Sequence, residues 1–319
     1  MFRVLELSAG RIVAHEGLER VAAPASGTVR WVDVHGPDEP ALDLLRERFE
    51  LHPLALEDCS HLDQRPKLEE YRDHLFIVVQ GFAANGQHVD ELELQELHAF
   101  LGEHYLITVH SGAIRALDEA WERAGSDPQI LGRGLDFVYY LIVDGVVDAS
   151  FPVLDLIADE LESLEDTVLA SPRRPDLSRI FELKHHLVEM RKVISPQRDV
   201  LAMLVKRGDP RVSERTALYF RDVYDHLVRI NESIEANRDL LGNTLEAYLS
   251  AVSQRTNEIM KSLAILSAIF LPLTFVTGFF GQNFVHFPFD SDALMYVMFA
   301  AMIALPTVML WWMKSRDWF

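Results

Sequence analysis

The chain has 319 residues, which is enough for about two domains and a sizeable hydrophobic core. It has 49 acidic and 30 basic side chains and a formal net charge of −19, which argues against a nucleic-acid partner and favours cations. Its single cysteine, Cys59, cannot form an internal disulfide, so we expect the soluble part to lie in a reducing compartment, the cytoplasm.

Residues 1–134 are predicted to form a cytoplasmic α/β domain. Four segments have the composition of strands, and segments rich in Asp, Pro, Gly and His separate them: TVRWVDV, LFIVVQGF, LELQELHAFL and HYLITVH. From Leu135 onward, apolar residues recur three and four positions apart, which predicts a cytoplasmic helical region over 135–212. Breaks between its helices are expected at Pro152, at 171–172 and at 208–210.

A very long helix is predicted next, because no strong helix breaker lies between Pro210 and Pro272. A helix over 213–281 would be about 100 Å long, with Gly242 as its weakest point. We divide it into a stalk helix, 213–262, and a first membrane span, 263–281. An isolated helix of this length cannot bury an apolar stripe, which indicates a helical bundle, a membrane or both.

Two uncharged runs, 262–289 and 293–313, are each long enough to cross a bilayer. The alternative is a pair of buried core helices. Lys261, Lys314 and Arg316 flank the runs, whereas the connecting loop, 282–292, has no lysine or arginine. The positive-inside rule then predicts a cytoplasmic N-terminus, a cytoplasmic tail over 314–319 and an external loop. Since no targeting segment is recognisable, we expect the inner (plasma) membrane of a bacterium or archaeon.

One face of the long helix carries a stripe of mixed polar, small and apolar residues at a spacing of 3.5. The members of this stripe are Glu246, Leu249, Ser253, Asn257, Met260, Ala264, Ser267, Leu271, Thr274 and Gly278. Such a stripe fits either dry helix packing or the lining of a water-filled path. In the second interpretation, Met260 and Leu263 form an apolar gate that closes by dewetting. A subunit with two spans cannot enclose a path alone, so that interpretation requires a ring of subunits.

Several segments resemble the CorA metal ion transporter family: YFRDVYDHLVRI, YLSAVSQRTNEIMKSL, FLPLTFVTGFFGQNF, HPLALED, QRPKLEEY and PQRDVLAML. The resemblance spans nearly the whole chain. It implies a funnel-shaped homopentamer with an α/β cytoplasmic domain, a long stalk helix that continues as the pore-lining span, and an outer second span. The implied function is conduction of hydrated divalent cations, Mg²⁺ first and Co²⁺ or Ni²⁺ as further candidates. No catalytic cofactor is expected.

The resemblance also implies roles for individual residues. The family signature Gly-Met-Asn at the external mouth corresponds to Gly281, Gln282 and Asn283, where Asn283 would form a ring of amide oxygens that receives the hydrated ion. Further implied roles are an acidic ring at Glu246, a polar ring at Asn257, the gate at Met260 and Leu263, a polar lining at Thr274 and part of an intersubunit regulatory Mg²⁺ site at Asp222. The acidic partner of Asp222 stays open, with Asn85 and Asp90 as candidates.

Three alternatives remain at this stage. Gln282 in place of methionine keeps open a Zn²⁺ transporter of the ZntB type with proton coupling, although neither span has a carboxylate that could relay protons. A two-span signalling protein is disfavoured because such sensors usually carry a domain between their spans. An enzyme is disfavoured because the chain has no HExxH, CxxC, Walker or GxSxG motif.

Overall fold

A computed structural model describes residues 1–17, 21–61, 64–84, 86, 89, 92–206, 208–282 and 291–316. The chain divides into two compact units. The first consists of Met1–Thr167 and Arg173–Leu245, and the second of Val168–Pro172 and Glu246–Phe319. The predicted fold class is confirmed, because an α/β domain is followed by a long helix whose last part is apolar and by a second apolar helix near the C-terminus.

The first unit contains a mixed sheet. Its strands are β1 (Phe2–Ser8), β2 (Arg11–Glu16), β3 (Thr28–His35), β4 (Lys67–Glu70), β5 (His74–Ala84), β6 (Leu92–Gly102) and β7 (Tyr105–His110), in the spatial order β2-β1-β3-β7-β6-β5-β4. Neighbouring strands are antiparallel except for the β3–β7 pair. The four predicted strand segments correspond to β3, β5, β6 and β7, whereas β1, β2 and β4 were not predicted.

Nine helices lie within the described residues. They are α1 (Glu39–Phe49), α2 (Pro53–Ser60), α3 (Arg115–Ser126), α4 (Pro128–Gly132), α5 (Leu135–Asp148), α6 (Ser150–Ala170), α7 (Arg174–Lys206), α8 (Glu214–Phe280) and α9 (Asp292–Ser315). Helix α1 begins where the Asp38 side chain accepts a hydrogen bond from the Ala41 N–H, a standard N-cap. Its buried Leu45 packs with Val32, Phe76 and Phe100 in the hydrophobic core on one side of the sheet.

Side chains from two helices complete the backbone hydrogen bonding of β5 beyond the end of β4. The Gln80 N–H donates to Oε1 of Gln197 in α7 at 2.6 Å, and the Phe82 N–H donates to Oγ of Ser150 in α6 at 3.3 Å. β4 pairs with β5 only as far as Val78, so these two donors would otherwise be buried without an acceptor. The helices are therefore held to the sheet by specific polar contacts as well as by apolar packing.

Helix α5 packs closely against β5 at Gly81. A Cβ atom added there would lie 2.4 Å from the backbone oxygen of Val146 and 2.6 Å from its Cγ1. Only glycine leaves room for this contact, because real Cβ atoms do not approach other heavy atoms so closely. The contact fixes the depth of α5, the helix that also carries Asp144 and Asp148.

Helix α8 has 67 residues and is continuous through Gly242 and Pro272. The predicted range, 213–281, is one residue longer at each end. Asp136 of α5 holds the start of α8, since its Oδ2 accepts hydrogen bonds from Ser213 N at 2.9 Å and from Ser213 Oγ at 2.7 Å. The helix belongs to the first unit up to Leu245 and to the second unit from Glu246.

The second unit consists mainly of the last part of α8 and of α9. Both helices contain a stretch long and apolar enough to span a membrane, and none of the residues in those stretches is buried within the chain. Leu271 and Ile303, for example, are 73% and 71% exposed. Such surfaces need lipid or another subunit to cover them, so the alternative of two buried core helices does not describe these residues.

Candidate cation sites

The stripe on α8 lies on one exposed face of the helix. At 100° per residue, the positions from Glu246 to Gly278 fall within an arc of about 100°. Every member of the stripe is exposed in the single chain. Polar groups on a membrane helix normally face other protein or water rather than lipid. The polar members of the stripe therefore need other protein or water to face them.

Two polar side chains on this face, Asn257 and Thr274, differ in the hydrogen bonds that they can offer to water. Asn257 borders an open groove of about 460 Å³ together with Ser253 and Lys261. Thr274 donates its hydroxyl hydrogen to the Phe270 carbonyl oxygen of the preceding turn at 2.8 Å. The hydroxyl oxygen keeps lone pairs that can accept hydrogen bonds from water. Asn257 thus offers an amide to water, and Thr274 offers mainly an acceptor.

Two large apolar residues lie on or beside the stripe between these polar positions. Met260 is 58% exposed and Leu263 is 55% exposed. The Glu246 side chain is also exposed, at the point where the second unit begins. The order along α8 is therefore acidic, polar, apolar and polar again, as the resemblance implies for a conduction path.

The end of α8 is the beginning of the predicted mouth. The Gly281 N–H donates to the Thr277 carbonyl oxygen at 2.9 Å, and the Gln282 N–H donates to the Phe279 carbonyl oxygen at 3.3 Å. These bonds tighten the last turn of the helix at the first two residues of the signature. Asn283 lies outside the described residues, so its role remains a prediction.

A cluster of potential metal ligands lies in the first unit between α5 and α8. The ligand atoms of Asp144, Asp148 and His226 all lie within 4.8 Å of one another. Nδ1 of His226 is 2.7 Å from Oδ1 of Asp148, and Nε2 of His226 is 3.9 Å from Oδ2 of Asp222. The structure therefore brings Asp222, predicted from the resemblance, next to three residues that the sequence did not single out.

The electrostatics of this cluster favour a bound cation. Burial, then the neighbouring charge of Asp148, raise the pKa of Asp144 above its usual range. Its Oδ1 is buried and has no hydrogen-bond partner among the described residues. A buried carboxylate oxygen without a donor is costly, and a cation would remove that cost. Two carboxylates suit Mg²⁺, and the imidazole also suits Co²⁺, Ni²⁺ or Zn²⁺.

The sequence contains a weak signal for this cluster. Asp144 and Asp148 are four residues apart, as are Asp222 and His226, so each pair lies on one face of its helix. The two pairs come together only because α5 packs beside α8, and that packing is a tertiary feature that the sequence pattern does not show. Asn85 and Asp90, the two candidates for the partner of Asp222, lie outside the described residues.

Comparisons with known proteins agree with these features. The family model for the CorA-like Mg²⁺ transporter protein matches residues 26–315. The cobalt/magnesium transport protein CorA of Thermotoga maritima is 35% identical over 296 residues, which cover 92% of this chain and 84% of that protein. The zinc transport protein ZntB of Yersinia enterocolitica is 23% identical and covers 80% of this chain and 77% of that protein.

A solved structure shows the same fold. The complete structure of the CorA magnesium transporter from Methanocaldococcus jannaschii superimposes with a TM-score of 0.86 at 21% identity and covers 99% of this chain and 98% of that one. From the family match, the 35% identity and the two candidate spans, we conclude that the chain belongs to the CorA family and is a divalent metal cation transporter of the membrane, not an enzyme.

Proposed function

We propose that this protein is a homopentameric channel for hydrated divalent cations, with Mg²⁺ as the main substrate and with Co²⁺ and Ni²⁺ as further substrates. The observation that supports it most is the exposed stripe on α8, where polar and apolar residues alternate on a helix that is apolar enough to enter the membrane. Five copies of this face around an axis would enclose a path that one copy cannot.

The proposed path keeps the ion hydrated. Mg²⁺ releases its water slowly and is usually bound with several waters in place. Neutral amides and hydroxyls can bind those waters without holding the ion tightly, which conduction requires. In this proposal Asn283 receives the hydrated ion, Gly281 leaves the backbone accessible and Gln282 adds a second amide at the mouth. Thr274 and Asn257 continue the polar lining.

The proposed gate is a constriction of Met260 and Leu263. Apolar rings narrow enough to exclude water stop ions, because a hydrated divalent cation cannot enter a dry segment. Glu246 would lie below this gate as an acidic ring that attracts cations. Both termini are proposed to be cytoplasmic in the inner membrane, so the membrane potential drives entry. It supplies about 2.3 kcal/mol per elementary charge per 100 mV, which is doubled for a divalent ion.

We further propose that the cluster of Asp144, Asp148, Asp222 and His226 is an ion sensor. The cluster joins α5 to the helix that carries the proposed gate. Binding of internal Mg²⁺ would stabilise one arrangement of these helices, and loss of Mg²⁺ would leave like charges facing each other. Asp222→Ala should then weaken the dependence of channel closure on internal Mg²⁺. An unchanged dependence would contradict the sensor role and leave the conduction proposal intact.

A Zn²⁺ transporter of the ZntB type is the second candidate. Gln282 in the signature supports it, whereas the higher identity to a CorA than to a ZntB supports Mg²⁺. A two-span signalling protein is not consistent with the family match.

Ion flux into liposomes that contain the purified protein tests the proposal. Mg²⁺, Co²⁺, Ni²⁺ and Zn²⁺ are compared under a potassium diffusion potential without a pH gradient, and then under a pH gradient at zero potential. We expect Mg²⁺ flux that follows the potential and that Asn283→Ala changes. Asn243→Ala, which replaces an exposed asparagine of α8 outside the proposed mouth, is the matched control. Zn²⁺-selective flux that follows the pH gradient would contradict the proposal.

A further inference from the structure

A cleft of about 920 Å³ lies in the first unit, away from all the residues assigned above. Its volume is within the range of small-molecule binding sites. Four cationic side chains line it, Arg65, Arg191, Lys192 and Arg238, against one acidic side chain, Glu189. Nζ of Lys192 is 2.6 Å from Oε1 of Glu189, which uses one of the three donors of that ammonium group. This balance is the reverse of the whole chain, which has a formal net charge of −19. The lining of the cleft is therefore locally cationic on an acidic protein.

Two of the guanidinium groups contact the same carboxylate, that of Glu235. Nε of Arg191 is 3.1 Å from Oε1 of Glu235, and Nη1 of Arg238 is 2.8 Å from Oε2 of the same carboxylate. Arg238 donates one N–H group to this carboxylate, whereas Arg191 is ion-paired with it without a hydrogen bond. A guanidinium has five N–H donors. Both side chains remain partly exposed, at 49% and 32%. One carboxylate therefore lies beside two guanidiniums, and their other donors can meet a ligand.

The wall on the sheet side of the cleft is largely apolar. Phe82 of β5 and Leu94 of β6 are directly opposite each other across the two strands, so their side chains lie on the same face. Both line the cleft, and so does Leu92 two residues away on β6. The cleft is consequently two-sided, with an apolar wall from the sheet and a cationic wall from α7 and α8.

We propose that this cleft binds a nucleotide, whose phosphates contact Arg191, Lys192 and Arg238 and whose base lies against Phe82 and Leu94. Arginine and lysine are the side chains that most often bind phosphate, the former through paired donors. Arg65, exposed at the rim, adds charge for the terminal phosphates. The site belongs to the first unit alone, so it does not depend on the proposed conduction path.

The test is ATP binding to the full-length protein in detergent, measured by calorimetry in the presence of EDTA. EDTA removes divalent ions that could otherwise bridge ATP to the acidic surface. We expect saturable binding with one ATP per chain. Lys192→Gln should weaken it about tenfold or more, because a hydrogen bond to a charged group contributes about 1.5–3 kcal/mol. Lys184→Gln, an exposed lysine of α7 that does not line the cleft, should leave it unchanged.

A second variant tests the contribution of the apolar wall to binding separately from that of the cationic wall. Leu94→Ala removes an exposed part of the apolar wall, so it should weaken ATP binding and leave inorganic triphosphate binding unchanged. Lys192 and Leu94 are both exposed, so neither variant removes a core residue. No ATP binding, or equal effects of Lys192→Gln and Lys184→Gln, would overturn the site. Equal affinity for ATP and inorganic triphosphate would overturn its assignment to a nucleotide.

Discussion

Replacement of Gly81 by alanine is expected to destabilise the first unit. The new Cβ would lie 2.4 Å from the Val146 backbone oxygen, which is part of α5 and cannot rotate away as a side-chain end could. Either β5 or α5 must move, and overpacking of this kind costs about 1–3 kcal/mol. Movement of α5 also displaces Asp144 and Asp148 on either side of Val146. We therefore expect both a lower denaturation midpoint and weaker stabilisation by Mg²⁺.

Gly242→Ala is the matched control for this prediction. Gly242 lies inside helix α8, as Gly81 lies inside strand β5, but a Cβ at Gly242 meets no atom within 4 Å. Alanine in the middle of α8 should stabilise the helix by about 0.5–1 kcal/mol. Both variants are compared with the wild-type protein in detergent by chemical denaturation, with and without Mg²⁺. A midpoint for Gly81→Ala equal to that of the wild type would refute the close packing of α5 on β5.

Two further predictions concern the same unit. Gln197→Leu leaves the buried Gln80 N–H without its acceptor, so it should cost about 1–3 kcal/mol in unfolding free energy and speed hydrogen exchange at the Gln80 amide. An unchanged exchange rate would contradict that hydrogen bond. Burial, then the charge of Arg211, lower the pKa of His74 to about 4. The unfolded chain takes up this proton near pH 6.5, so stability should fall as the pH drops from about 6.5 to 4, by at most about 1.4 kcal/mol per pH unit. His74→Phe should reduce this slope, and an identical slope in both proteins would contradict the assignment.

The sequence predicts the elements whose signals are local. Strands β5 and β7 are recognisable because they are continuous apolar, β-branched and aromatic runs, and α8 because breakers are rare between Pro210 and Pro272. Strands β1 and β2 were missed because FRVLELS and RIVAHE mix charged and apolar residues in short segments. Their pairing with each other and with β3 stabilises them, and pairing is a tertiary property.

The candidate sites also differ in whether their residues come from one element or from several, and this decides whether the sequence predicts them. The stripe on α8 could be predicted because one helix supplies all its members. The Asp144, Asp148 and His226 cluster could not, because Asp148 and His226 are 78 residues apart and meet only when α5 packs beside α8. The Asp136–Ser213 contact between the ends of these helices is part of what sets that geometry. The cationic cleft likewise combines residues from two strands, two helices and a loop.

The central claim is that one face of α8 borders water within the membrane. Thr274 is on the stripe, whereas Val276 is two residues further along α8 and about 200° around it, at nearly the same depth. Cys59 is the single native cysteine and is buried, so Cys59→Ala provides a background for Thr274→Cys and Val276→Cys. A charged, membrane-impermeant thiol reagent is then applied to protein in liposomes. We predict that Thr274→Cys reacts and loses Mg²⁺ flux while Val276→Cys does neither; equal reaction at both positions, or faster reaction at Val276→Cys, would contradict the account.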